Sequence, residues 1–406
     1  MPALVLNDAT LIDGTGADPR PHTSVLVESG RIARVAPAGT IAAPDGARVI
    51  DCGGRALMPG LTDAHVHFGL TRQGDRDLPE SHVSYVLKVV ENIRIALNEG
   101  FTTVRDAGGL DPAYALAVEA GQIAGPRILP SGSFLSITGG HGDHRDRWSD
   151  DAPPSIPGLV AHSEIVDGAD AVRRAARTQI RRGATQVKLM ASGGVMSPID
   201  PIESLQFTVE EMAAAVQEAT SFGKYVMAHC HTSGAMNNAL DAGVRSIEHG
   251  SILDEHTAKR MAAQGAYLVP TLVIIELLSH SPDLPEFSRT KLNMVHGEMA
   301  SSVALAKASG VAIGSGSDLL GPRQCRRAGE LVEKAKHFGP MGAIVSATQT
   351  NAALFRLQGR VGTVAEGKDA DIILVSTDPL ADIATLADAA NIPLVIKSGI
   401  VAKDAL

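Results

Sequence analysis

The sequence predicts an α/β fold: a (β/α)8 TIM-type barrel carrying a small β-sandwich domain formed by both chain termini. Three observations lead there. Apolar strand-like runs alternate with amphipathic segments through the middle of the chain, both ends read as short strands between turns, and His, Lys and Asp recur at predicted strand ends. At 406 residues the chain exceeds the size at which one hydrophobic core stops growing, so a large domain plus a smaller one is expected.

At the N-terminus, 3–6, 24–28 and 31–35 read as strands, with Asp13-Gly14 and Ser29-Gly30 marking turns. The same texture returns at 370–376, 393–397 and 400–403, separated by Asp378-Pro379 and Ser398-Gly399. Residues 1–55 plus 357–406 are therefore expected to form the small domain, and 56–356 the barrel. Within the barrel, strands are expected at 56–67, 102–106, 127–131, 186–192, 225–231, 246–249, 266–271 and 311–318. Helices are expected at 82–99, 111–121, 168–182, 208–222, 233–243, 254–264, 290–309 and 326–338. Thr208 three residues before Glu211 signals a capping box, and Gly100, Gly183, Gly243, Gly265 and Gly310 fall just past helix ends. A doubly wound open sheet is the alternative, but no glycine-rich phosphate loop opens any of these units. The alternation breaks at 132–166, rich in Gly, Pro and charge, and again at 276–289; loops this long after barrel strands lie on the face where active sites form.

Composition excludes several classes. A net charge of −9 without a basic arm argues against nucleic acid. No apolar run reaches the ~18 residues that would span a bilayer. The N-terminus opens on a strand instead of a basic and apolar leader, which suggests a mature cytoplasmic protein. Cys52, Cys230 and Cys325 are odd in number and widely spaced, against a disulfide framework. Cys230 lies between two strand histidines and should face away from them into apolar surroundings.

The chemistry concentrates in MPGLTDAHVHF, residues 58–68. Alternate residues of a strand share a face, so His65 and His67 point together and make half of a metal site. Lys188 in QVKLMASGG, His229 in MAHCH, His249 in SIEHGS and Asp318 in GSGSD each sit near a predicted strand end. A closed parallel barrel would bring all six to one mouth, where titratable groups need partners to offset their desolvation. Asp63 and Asp106 read as hydrogen-bonding supports in the same strand-end motifs.

This set resembles the amidohydrolase superfamily: H-x-H on strand one, lysine on strand four, histidines on strands five and six, aspartate on strand eight. FTTVRDAGG and GKDADIILV extend the resemblance over nearly the whole chain, and ITGGHGD and AGVRSIEHG place it near the imidazolonepropionase-like and Xaa-Pro dipeptidase (prolidase-like) branch. The resemblance implies two divalent metal ions, usually zinc, with His65, His67 and Asp318 on one, His229 and His249 on the other, and N-carboxylated Lys188 bridging. A pair of metals lowers the pKa of a shared water and polarises the carbonyl under attack. Asp318 would shuttle the proton to the leaving nitrogen, and His141, between glycines, would stabilise the oxyanion. His231 faces the same mouth where prolidase-like relatives commonly carry tyrosine, a departure that leaves the substrate open. With His144, Arg145 and Arg323 it forms the candidate substrate-binding set, since an arginine fork suits a carboxylate.

The expected activity is hydrolysis of an amide next to a carboxylate, in a dipeptide such as Xaa-Pro or an N-acyl amino acid. The same machinery would serve cyclic amides, carbamates, arylureas or N-acyl-phenylalanine mycotoxins of the ochratoxin type. A non-catalytic scaffold of this fold is the reading from another class, and the filled ligand positions oppose it. Partners are expected to be small-molecule substrates and, in a homo-oligomer, further copies of the chain.

Overall fold

The computed structural model describes residues 2–71, 81–151 and 155–406; the side chain of Arg323 lies outside the described residues. Strands from both ends of the chain share one eight-stranded sheet, in the order Ile400–Asp404, Leu394–Lys397, Ile372–Val375, Ala56–Pro59, Leu4–Leu11, Arg20–Glu28 and Arg31–Pro37, with Arg48–Asp51 also paired to Leu4–Leu11. The two-residue side-chain period sorts its central strands. Leu57, Ile372, Leu374, Leu394 and Ile396 pack with Leu4, Leu6, Val25 and Val27 in a core of the sheet's own. Their neighbours Met58, Ile373, Val375 and Val395 face the other way, onto Val89, Ile93, Leu331 and Ile344 of two helices. Each such side chain, fully buried, contributes roughly 1.5–3 kcal/mol.

The run 56–67, expected as one strand, is two. Ala56–Pro59 stays in the terminal sheet, and Leu61–Val66 begins the parallel set. The chain changes partners at Pro59-Gly60: proline has no N–H to continue a ladder, Gly60 N donates to Asp371 O, and Leu61 N turns to Gly100 O.

Leu61–Val66, Phe101–Asp106 and Arg127–Leu129 form one parallel sheet. A second parallel sheet runs Glu164–Ile165, Leu135–Ser136, Val187–Met190, Val226–Thr232, Ser246–Ile252, Tyr267–Val269, Ala312–Ile313. Backbone hydrogen bonds cross both gaps between the sheets: Thr185 N to Pro130 O at 2.7 Å on one side, and Ala64 N to Ser315 O and Asp318 N to His65 O, each 2.8 Å, on the other. Helices intervene between successive strands near the expected places, including His82–Asn98, Ala169–Arg182, Val209–Ser221, Ser233–Asp241 and Glu255–Gln264. The Thr208–Glu211 capping box forms in both directions.

The last strand is much shorter than the expected 311–318. Regular pairing ends at Ile313, and the Asn351 side chain replaces the ladder: its Oδ1 accepts from Ser315 N while its Nδ2 donates to Thr62 O and Ser315 O. Gly316 lies so close to His65 that a Cβ there would come within 2.6 Å of the His65 Cβ. The expected loop at 276–289 begins as helix, since Leu272–Ser279 carries the apolar run LVIIELLS. Among the described residues no helix is long and apolar enough to cross a membrane. Cys52 and Cys230 are buried free thiols, and Cys325 is exposed.

Candidate active site

Five strand ends deliver seven side chains to one cavity of about 130 Å³. His65 and His67 from Leu61–Val66 and its exit, Lys188 from Val187–Met190, His229 and His231 from Val226–Thr232, His249 from Ser246–Ile252 and Asp318 beyond Ala312–Ile313 all line it. The period of two works as expected: His65 and His67 share a face while Val66 packs in the core behind, and Cys230 points away from His229 and His231 into apolar surroundings. His141 and His144 reach the same cavity from the loop after Arg127–Leu129. The imidazoles are close-set: rings 141 and 229 stack at 4.5 Å, 229 and 249 lie 4.6 Å apart, 231 and 249 stack at 5.0 Å, and 65 and 67 stand 5.1 Å apart.

The hydrogen bonds decide which nitrogens are free. His67 Nδ1 meets the Gly108 carbonyl at 2.7 Å, and a carbonyl only accepts, so Nδ1 carries the proton. His65 Nδ1 meets Glu248 Oε2 at 2.8 Å. Burial would raise the Glu248 pKa, but the Arg105 guanidinium and His65 hold it down at about 2, so Nδ1 is the donor here as well. Burial, then the Lys188 charge, lowers His65 to about 4, which keeps the ring neutral. The His65 Nε2 lone pair thus faces His67 Nε2 at 3.2 Å, with Asp318 Oδ1 at 3.5 and 3.3 Å from them. These three donor atoms lie within 4.8 Å of one another. Electron pairs crowded in this way call for a cation between them, and two imidazoles with a carboxylate are a donor set that zinc takes. The electrostatics agree: burial would lower the His67 pKa, yet the hydrogen bond and charge of Asp318 raise it, recruiting positive charge to this spot.

The other half of the mouth gathers His229, His249 and Lys188. His229 Nε2 lies 3.1 Å from the Gly193 carbonyl, which assigns the proton to Nε2 and leaves Nδ1 bare. His249 Nδ1 is oriented by Thr271 Oγ1 at 2.8 Å. Lys188 is buried and pairs with no acceptor among the described residues; burial lowers its amine to about 8 against the pull of Glu248 and Asp318. His249, Thr271 and Asp318 hold left-handed backbone, at φ 71°, 52° and 53°. Such conformations cost non-glycine residues of order 1–3 kcal/mol and gather where function fixes the chain.

A layer of support lies behind the donors. Asp63 accepts from His65 N and Ser317 N, each at 3.0 Å, and from Ser317 Oγ at 2.5 Å, tying the first and last strands together beside Asp318. Asp106 accepts from Phe68 N and Gly108 N. Sequence reading missed Glu248 and Arg105. Glu248 is fully buried and holds His65, Arg105 Nη2 at 2.8 Å and Ser246 Oγ at 2.6 Å, while Arg105 Nε reaches Ala64 O. A signal was present, because an arginine inside the apolar strand FTTVRD must have a buried partner.

The remaining candidates divide. His231 Nδ1 meets Ser251 Oγ at 2.9 Å, and the ring stays at the mouth. His144 stands edge-on to Phe134 and to His162. The structure does not bring Arg145 to the cavity: its guanidinium forks onto Asp143, Nε and Nη2 each at 2.7 Å. The Arg323 side chain lies outside the described residues. The other wall is apolar, made by Leu70, Met190, Val195, Met196, Ile274, Ile275, Leu278 and Leu320.

Comparison with known proteins bears on this geometry. The family model for the amidohydrolase family matches residues 56–401. An ochratoxinase from Aspergillus niger is 34% identical over 366 residues, covering 84% of this chain and 75% of that protein. The crystal structure of a prolidase complexed with N-methylphosphonate-L-proline superposes with a TM-score of 0.93 at 38% identity, covering 99% of this chain and all of the other. An Xaa-Pro dipeptidase with methionine bound in its active site superposes with a TM-score of 0.88 at 31% identity, over 98% of this chain and 99% of the other.

Proposed function

Because the chain belongs to the amidohydrolase family and is a hydrolase of amide bonds, we propose that it cleaves an amide next to a carboxylate, with two divalent metal ions held at this mouth. The observation that carries the reading is the set of bare donor atoms, His65 Nε2, His67 Nε2 and Asp318 Oδ1, turned toward one another in a buried cavity. His229, His249 and Lys188 complete the ligands. Lys188 would hold both ions in its carbamate form: a desolvated amine lowered to about 8 is neutral often enough to add carbon dioxide, releasing a proton to solvent, and the product would offer two oxygens sharing one negative charge. Zinc ions held there would supply a water of lowered pKa and polarisation of the scissile carbonyl.

The chain's own groups do the rest. Asp318 is held ionised by His65 and His67 despite burial, so it can take the proton of the attacking water and deliver it to the leaving nitrogen. His141, kept neutral by burial beside His144 and His231, donates to the oxyanion. His231 and His144 flank the substrate. The parallel strands act as one closed (β/α)8 barrel, a reading supported by the hydrogen bonds across both gaps. Residues 1–55 with 357–406 serve as a separate small domain, supported by the sheet the two ends share.

The apolar wall favours an aromatic or branched side chain, and with it an N-acyl-phenylalanine substrate of the ochratoxin type over a polar dipeptide. Zinc-loaded protein assayed against N-acyl amino acids, Xaa-Pro dipeptides and their C-terminal amides tests the reading. Hydrolysis of free-acid substrates with apolar side chains is expected. Hydrolysis of the amidated series alone would overturn the carboxylate requirement, and cleavage of none of these compounds would move the activity to carbamates, ureas or cyclic amides.

A further inference from the structure

The segment between Val187–Met190 and Val209–Ser221 folds back over the mouth and seats the ring of His141. Gly194 lies against that ring so closely that a Cβ would come within 2.2 Å of it, and Ser197 Oγ meets His141 Nδ1 at 2.8 Å. Asp200 Oδ2 closes the bend from inside, accepting from Gly194 N and Gln206 Nε2, each at 3.1 Å, and lies 3.7 Å from His141 Nδ1. Its other oxygen, Oδ1, is buried with no hydrogen-bond partner among the described residues.

What gathers this segment comes from elsewhere in the fold. Lys291, on the helix Glu286–Ala308, points its ammonium at the carbonyls of Gly194 (3.1 Å), Ser197 (2.6 Å) and Asp200, with Asp200 Oδ1 4.0 Å away. An ammonium has three donors. Here each has a carbonyl, and two of those carbonyls belong to the residues that touch His141. Lys291 itself does not line the cavity.

We propose that Lys291 is a positioning residue for the reaction: it draws three carbonyls of the strand-four segment to one point and so fixes the seat in which His141 is held. The inference rests on His141 acting as the oxyanion donor. Ser197 Oγ at Nδ1 and the Gly194 backbone against the ring together fix the orientation of the imidazole. Without the ammonium, three carbonyl dipoles would converge with nothing between them, and the segment would open. A planar guanidinium cannot point at one converging set of carbonyls as an ammonium does, so arginine is a poor replacement.

The test is a double-mutant cycle on the full zinc-loaded chain, using the best substrate of the panel above. His141→Ala is expected to lower kcat ~10²–10³-fold. Lys291→Met is expected to lower kcat ~10²-fold through a misplaced donor, with zinc content little changed, KM shifted only a few-fold as Val195 and Met196 of the same segment move, and Lys291→Arg no better. On top of His141→Ala, Lys291→Met should cost less than about 3-fold, because the group it positions is gone. If the two losses multiply, or Lys291→Met turns over like the parent, the inference falls while the reading of His141 stands. His141→Ala at the parent rate would overturn the oxyanion role itself, and this inference with it. Should Lys291→Met fail to fold, Lys291→Gln, which keeps a single amide donor near the carbonyls, runs the same cycle.

Discussion

Replacing Glu248 by glutamine tests the charge network behind the site. The carboxylate is fully buried between Arg105 and His65 and also accepts from Ser246. An amide keeps one acceptor oxygen where the carboxylate has two, so Arg105 or His65 loses its partner, and the guanidinium loses its counter-charge. Arg105 Nη1 already has no hydrogen-bond partner among the described residues. Two routes give the magnitude. Moving the carboxyl from its ordinary 4.5 down to about 2 corresponds to about 3 kcal/mol of folding stability. Breaking a buried ion pair by removing one partner costs about 3–5 kcal/mol. The sign follows from the depressed pKa: the contribution is complete above 4.5 and disappears as pH falls toward about 2. Urea unfolding of metal-free protein at pH 7 should therefore show Glu248→Gln about 3 kcal/mol less stable, a gap that persists to pH 5 and narrows below 4.5. Zinc affinity should fall ~10–100-fold, because His65 loses the carboxylate that orients it. Unchanged unfolding at pH 7 together with unchanged zinc affinity would refute the assignment of this charge to the site's support.

Two further substitutions separate metal binding from proton transfer. Asp318→Asn keeps an oxygen near His65 and His67 but cannot carry the proton, so zinc content should stay close to the parent while kcat drops by several orders of magnitude; near-normal turnover would remove Asp318 from the shuttle. Lys188→Ala should lose zinc occupancy along with activity, and exogenous short-chain carboxylates should restore part of both by supplying the bridging oxygens. Full zinc content in Lys188→Ala would assign this lysine a charge role only.

Much of the site was legible because strand geometry is simple. A period of two forces His65 and His67 onto one face, and parallel strands bring their ends to one rim, so Lys188, His229, His249 and Asp318 could be placed beside them from sequence alone. The helices were legible through their caps, Thr208–Glu211 most clearly. What was not legible depends on contacts between distant residues. The last strand looks regular in sequence, yet Asn351 replaces its ladder and Asp318 turns into left-handed backbone, which no local propensity encodes. Pro59-Gly60 carried the strand break in plain view, as a residue without an N–H in the middle of a run expected to pair throughout. Arg145 looked free, although Asp143 two residues earlier takes its guanidinium in a bidentate pair. Lys291 gave no signal, since a lysine on an amphipathic helix is indistinguishable from a solvated one until its three carbonyls are seen.

The most direct measurement is the metal content of the purified chain by mass spectrometry, taken with amide hydrolysis before and after chelation. Two zinc-class ions per chain, activity lost as they are stripped and regained as they return, is the outcome this site requires. A chain that hydrolyses amides at full rate with no bound metal would contradict it.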